Sequence, residues 1–118
     1  MTTTEIANRL AEMSRTGQFE AAQKELYATD AISIEPVASE MFEKETKGLE
    51  KINEKIRKFH DSVETMHSIE VSEPLVAGNS FTLKMALDVT MHGKRMDMQE
   101  LCLYKVKDGK VISEEFFI

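Results

Sequence analysis

One cysteine, no long apolar run and no surplus of basic residues set the first limits on this chain. Cys102 stands alone among 118 residues. It has no partner for an internal disulfide and no Cys-x-x-Cys spacing for redox or zinc chemistry, which suits a reducing compartment. Fifteen basic against twenty-one acidic residues give a net charge of −6. That balance repels phosphate backbones, and no basic stripe interleaved with aromatics offsets it, so nucleic acid is not an expected partner. No apolar run approaches the roughly 20 residues that span a bilayer. The segment Met1-Thr2-Thr3-Thr4-Glu5 also lacks the basic and apolar parts of a signal peptide. A cytoplasmic location without membrane contact is expected. The three histidines, His60, His67 and His92, show no His-x-His or His-x-x-x-His spacing, so no metal site is expected.

What the chain does have is a folded domain's balance of 42% hydrophobic and 31% charged residues, without repeats or low complexity. Its length supports one core and not two, so residues 1–118 are read as a single domain. Thr2 and Glu5 have capping-box spacing ahead of Ile6, Leu10 and Met13, and Gly17 offers a stop. Phe19, Ala22 and Leu26 carry a second apolar stripe that ends near Ala28, and Leu49, Ile52, Ile56, Phe59 and Val63 a third. Between them, Ala31 to Glu35 alternates as a short strand that Pro36 ends, and Pro36 to Lys47 reads as a surface loop and candidate lid.

Beyond Met66 the period changes to two. His67 to Val76, Ser80 to Met91, Arg95 to Lys107 and Lys110 to Ile118 are separated by Gly78-Asn79, His92-Gly93 and Asp108-Gly109. Helices first and hairpins afterwards predict an α+β fold in which three N-terminal helices cover a curved antiparallel sheet.

Two-residue turns at His92-Gly93 and Asp108-Gly109 put Phe81 to Met91 (odd), Met96 to Tyr104 (even) and Val111 to Phe117 (odd) on one, mainly apolar, face. The pocket is expected there, lined by Tyr27, Met41, Phe42, Phe59, Met85, Leu87, Met98, Cys102, Tyr104 and Phe117. Met-rich walls suit a small apolar ligand. Leu101, Leu103, Ile112, Phe116 and Ile118 would leave an apolar patch on the other face, which predicts an isologous homodimer.

Glu100 falls on the apolar face between Met98 and Cys102. Desolvation there raises a carboxyl pKa and makes it a candidate acid or base, against the structural alternative of a place at the open mouth of the sheet. Glu35, at the strand exit beside the loop, is the second candidate carboxylate. His67 is favoured over His60 as a third acid–base group. No cofactor is implied. An acid–base enzyme, a non-catalytic binding protein and a dimeric interaction module all remain open.

The stretch Leu26-Tyr27-Ala28-Thr29-Asp30-Ala31-Ile32-Ser33-Ile34-Glu35-Pro36, then Gly48 to Ile52, then Tyr104 to Lys110 with Glu114-Glu115-Phe116-Phe117, resembles the SnoaL-like branch of the nuclear transport factor 2 superfamily. That resemblance implies a cone-shaped α+β barrel with helices in front of a bent sheet. The first stretch also resembles the ketosteroid isomerase segment in which an acid directly before a proline shuttles a proton, a role that would fall to Glu35. The isomerase's protonated second acid would fall near Glu100 or Cys102, of which Glu100 is the carboxyl. Its oxyanion tyrosine would fall near Ala11, where this chain has no phenol, which weighs against steroid isomerisation. The Asp-Arg-Asp group of the superfamily's epoxide hydrolases has no counterpart.

Overall fold

The computed structural model describes residues 1–118. Helix α1 (Thr3–Arg15) opens on the expected capping box: the Glu5 N–H donates to Thr2 Oγ1 at 3.1 Å, and the Thr2 N–H to Glu5 Oε1 at 2.8 Å. It buries Ile6, Leu10 and Met13 and ends where Gly17 takes a φ of +76°. Helix α2 (Phe19–Leu26) runs straight into strand β1 (Tyr27–Ile34), which begins at Tyr27 rather than Ala31. The expected loop after Pro36 carries a short strand β2 (Glu45–Lys47) paired with β1. Helix α3 (Leu49–Ser62) buries Ile52 and Phe59. A buried hydrogen bond from Asn53 Nδ2 to Gln23 Oε1, 2.8 Å, ties it to α2.

The first strand expected after α3 is two strands. β3 (Val63–Val71) and β4 (Leu75–Ala77) both pair with β5 (Ser80–Met91). The break between them contains Pro74, which has no N–H for the ladder. β6 (Lys94–Lys107) and β7 (Lys110–Phe117) complete the sheet, whose order is β2-β1-β7-β6-β5-β3. All pairs are antiparallel except β1 with β7, so the curved, unclosed sheet is mixed. Those two strands lie far apart in sequence, and parallel neighbours cannot be joined by a tight turn.

The β5–β6 register follows the two-residue turn at His92-Gly93, with Met85 opposite Glu100 and Leu87 opposite Met98. The β6–β7 register does not hold to its end. Val106 faces Val111 as the Asp108-Gly109 turn requires, but Lys105 faces Ser113, so Ile112 is a bulged extra residue. One inserted residue exchanges the faces of everything beyond it. Glu114 and Phe116 therefore join Tyr104 and Cys102 on the inner face, while Glu115 and Phe117 turn outward. Three expectations are corrected. Phe117 is 46% exposed and no part of the pocket wall, and Phe116 belongs to the pocket and not to the outer patch. Ile118, past the strand end, likewise takes the inner-face parity and is exposed, so the outer patch keeps exposed Leu101 and half-buried Leu103 and Ile112, and gains Phe117. No helix is long and apolar enough to cross a membrane.

Candidate functional site

Between the three helices and the inner sheet face lies one cavity of about 130 Å³, with twelve hydrophobic residues among the eighteen that line it. Leu10 of α1, Phe19 of α2, and Ile52, Ile56 and Phe59 of α3 form the helical wall. Met85, Leu87, Met98 and Phe116 form the sheet wall, and Phe42 reaches in from the loop before β2. The polar groups gather from different strands. Glu35 stands at the exit of β1, Glu100 on β6 and Glu114 on β7, and α3 sends in Lys55.

Lys55 links this group. Its ammonium donates to Glu35 Oε2 at 2.6 Å and to Ser33 Oγ at 2.7 Å. The lysine side chain is 13% exposed and the glutamate 18%, so the ion pair is largely withdrawn from water. The Phe42 and Phe116 rings lie over the ammonium, with centroids at 5.6 and 5.3 Å. Ser33 passes its own proton to Glu114 Oε2 at 2.5 Å, and the Tyr27 hydroxyl donates to Glu114 Oε1. The direction of the chain is set at Lys55: an ammonium cannot accept, so Ser33 accepts from it and has its hydroxyl proton left for Glu114.

Glu114 is only 3% exposed. Burial pushes its carboxyl up, and the hydrogen bonds from Ser33 and Tyr27 pull against that. Glu100 has no comparable donor, since its one side-chain hydrogen bond comes from the Cys102 thiol at 3.9 Å. Burial first, then the negative charges of Glu35 and Glu114, push it up to about 7, with Lys55 opposing. A carboxyl in this state holds both its protonated and its ionised form near neutrality. Burial likewise holds the Tyr27, Tyr104 and Cys102 protons in place, so none of the three is an anion at neutral pH.

Of the residues singled out in the sequence, the cavity brings together Glu35, Glu100, Tyr27, Phe42, Phe59, Met85, Leu87, Met98 and Tyr104. His67 does not reach it. The β3 register shifts between Met66 and Ser68, which leaves His67 exposed with Nε2 2.8 Å from Thr90 Oγ1. His60 is exposed at the edge of Phe19 and Phe59. Cys102 is fully buried within the sheet layer, and Met41 packs on the core from the loop, where its carbonyl accepts from Lys58 Nζ at 2.7 Å. Neither lines the cavity.

Sequence reasoning missed Lys55, Glu114, Ser33 and Phe116. Lys55 had a signal: it lies three residues after Ile52 and four before Phe59, on the stripe that packs inward. Glu114 had none, because only the bulge turns it in.

The family model for the SnoaL-like domain matches residues 1–118. A candidate SnoaL-like polyketide cyclase from Mesorhizobium loti is 32% identical over 100% of both chains, with a TM-score of 0.92. A cystatin-like protein of unknown function from Xanthomonas campestris shares the fold at 18% identity, covering 99% of this chain and 90% of the other, TM-score 0.84. So does a hypothetical protein with a ketosteroid isomerase-like fold from Catenulispora acidiphila, in complex with trimethylamine: 18% identity, 99% and 87% coverage, TM-score 0.75. No curated protein sequence matches significantly.

Proposed function

The chain belongs to the SnoaL-like family, and from that premise we propose that its cavity binds a small, mainly apolar carbonyl compound and moves a proton on it without a cofactor. One observation carries the reading: Glu35, Glu100 and Glu114 converge with Lys55 at the polar end of an otherwise apolar cavity. Apolar walls with a few convergent polar groups are the ordinary form of a small-molecule site. A cavity of about 130 Å³ is close to the roughly 150 Å³ that accommodates benzene in an apolar protein interior, so the ligand has about one ring. The similar Mesorhizobium loti protein is named both a candidate polyketide cyclase and a carbohydrate phosphatase, and the first of these names fits carbonyl chemistry.

In this reading Glu100 transfers the proton, since its carboxyl is free of a strong partner and exists in both forms near neutrality. Glu35, which the ketosteroid isomerase resemblance marks as the base, holds Lys55 in place. The test is exchange of the α-protons of single-ring ketones in D2O, followed by NMR. Wild type accelerates the exchange, and Glu100→Gln loses about a hundredfold or more of that acceleration, the usual worth of a positioned acid or base. Saturable binding with exchange at the background rate would instead identify a non-catalytic binding protein.

We propose in addition that a second copy of the chain covers the outer patch of Leu101, Leu103, Ile112 and Phe117. Leu101 is 55% and Phe117 46% exposed, and a two-fold axis needs only one self-complementary patch.

A further inference from the structure

We propose that Lys55 is a catalytic residue: its ammonium donates an N–H to the carbonyl oxygen of the substrate and takes up the negative charge that forms there. This rests on the proton-transfer reading above and names the group that would make it feasible. Removal of a proton next to a carbonyl places a full charge on oxygen, and in a cavity with three carboxylates that charge needs a cation or a donor beside it.

Lys55 has the donor to spare. An ammonium carries three N–H groups and no acceptor. Two go to Ser33 Oγ and Glu35 Oε2, and the third has no acceptor in the protein. The residue lines the cavity, so a ligand oxygen is the acceptor within reach. Its placement is fixed from both sides. Ser33 is itself held by Glu114, and Glu35 sits where β1 ends. The Phe42 and Phe116 rings cover the ammonium at 5.6 and 5.3 Å. Rings in that position keep water from competing and strengthen any bond the charge makes. The other donors on the wall are neutral. Tyr27 is committed to Glu114. The Tyr104 ring stacks on Phe81 with centroids at 4.8 Å, and its hydroxyl, the Ser14 hydroxyl and the Gln23 amide are the neutral rivals on the wall.

The step balances without any further reactant. Glu100 as carboxylate takes the α-proton. The C–H electron pair becomes the C=C bond, and the carbonyl π pair moves onto oxygen, which accepts the hydrogen bond that the Lys55 N–H donates. Glu100, now neutral, returns the proton to the same carbon or to a conjugated one, and the pairs move back. Glu35, Glu114, Tyr27 and Tyr104 are the other titratable groups that line this end, and Glu35 is the carboxylate that pairs with the Lys55 ammonium.

The probe is 4-nitrophenol, whose phenolate absorbs in the visible and stands in for the enolate, while the neutral phenol absorbs only in the ultraviolet. At pH 6 Glu100 carries its proton, as it does once the α-proton has been taken. Wild type should bind the probe as phenolate, and Lys55→Met should bind it as the neutral phenol, with phenolate affinity lower by at least about tenfold. Glu35→Gln removes the competing carboxylate and should raise the bound phenolate fraction. That comparison with wild type decides the matter alone if Lys55→Met does not fold. Binding of the neutral phenol by wild type would overturn the role of Lys55 and leave the cavity reading standing. So would an unchanged phenolate fraction in Lys55→Met, or its loss in Tyr104→Phe instead. Absence of binding at millimolar probe would overturn both.

Discussion

Glu100→Gln is the perturbation whose energetic effect follows most directly from the structure. Glutamine keeps the size and removes the charge, so packing against Met85 and Cys102 is retained. The Glu100 carboxyl lies at about 7 in the folded chain against an ordinary 4.5, and each unit is worth about 1.36 kcal/mol. The folded state therefore holds this proton more tightly than the unfolded state. The stability it contributes is complete below about 4.5 and is lost as the pH rises through 7. At pH 8 the folded chain carries the full penalty of a desolvated carboxylate, about 3 kcal/mol, whereas at pH 5 less than about 1 kcal/mol is felt. Urea unfolding at the two pH values measures the difference. Glu100→Gln should be more stable than wild type by up to about 3 kcal/mol at pH 8, and close to wild type at pH 5. In thermal unfolding this is a rise of about 10 °C at pH 8 for a domain of this length. Equal stability changes at both pH values would refute the argument, because packing or hydrogen bonding alone has no reason to titrate with a midpoint near 7.

The surroundings of Glu100 are open to the same treatment. Glu114→Gln removes a negative neighbour, so the Glu100 midpoint read by carbon NMR should move down from about 7. The same change leaves an amide facing either the Tyr27 or the Ser33 hydroxyl and should cost about 1–3 kcal/mol of stability. His67→Ala should leave 4-nitrophenol binding unchanged and alter stability by no more than about 0.5 kcal/mol, since the ring is exposed on the far face. Leu101→Lys in the outer patch should shift sedimentation from dimer to monomer while the cavity still binds the probe. A wild-type chain that sediments as a monomer at micromolar concentration removes the dimer proposal.

The helices were legible because each carries its own signal: Thr2 and Glu5 cap α1, and the stripe from Leu49 to Phe59 repeats at helical spacing on α3. The parallel partnership of β1 and β7 was not. It joins segments roughly 80 residues apart, and no local pattern encodes which strand a distant one will lie beside. Strand β3 was read as starting at His67 because Val63 continues the α3 stripe as well as it begins a strand. Its true start at Val63, with irregular pairing near Met66, is what sends His67 to the surface.

The site was half legible for a more specific reason. Glu100 could be placed from parity, because an uninterrupted ladder joins β5 to β6 through His92-Gly93. On β7 the sequence reads Glu114-Glu115-Phe116-Phe117, and either register puts one glutamate and one phenylalanine inside. Such doublets are blind to a one-residue slip, so the alternation test that identifies a strand face returns the same composition for both choices. The bulge at Ile112 makes the choice. It hands Glu114 to Tyr27 and Ser33, and brings the Phe116 ring over Lys55. Deleting Ile112 should remove the bulge and keep the pairing beyond it, since Ser113 then follows Val111 opposite Lys105 and Glu114 stays opposite Tyr104. Glu114 keeps its place at Tyr27 and Ser33, Phe116 stays in the cavity, and the Glu100 midpoint should remain near 7. A Glu100 midpoint that falls on that deletion would mean that the pairing with Tyr104 is not what holds Glu114 inside.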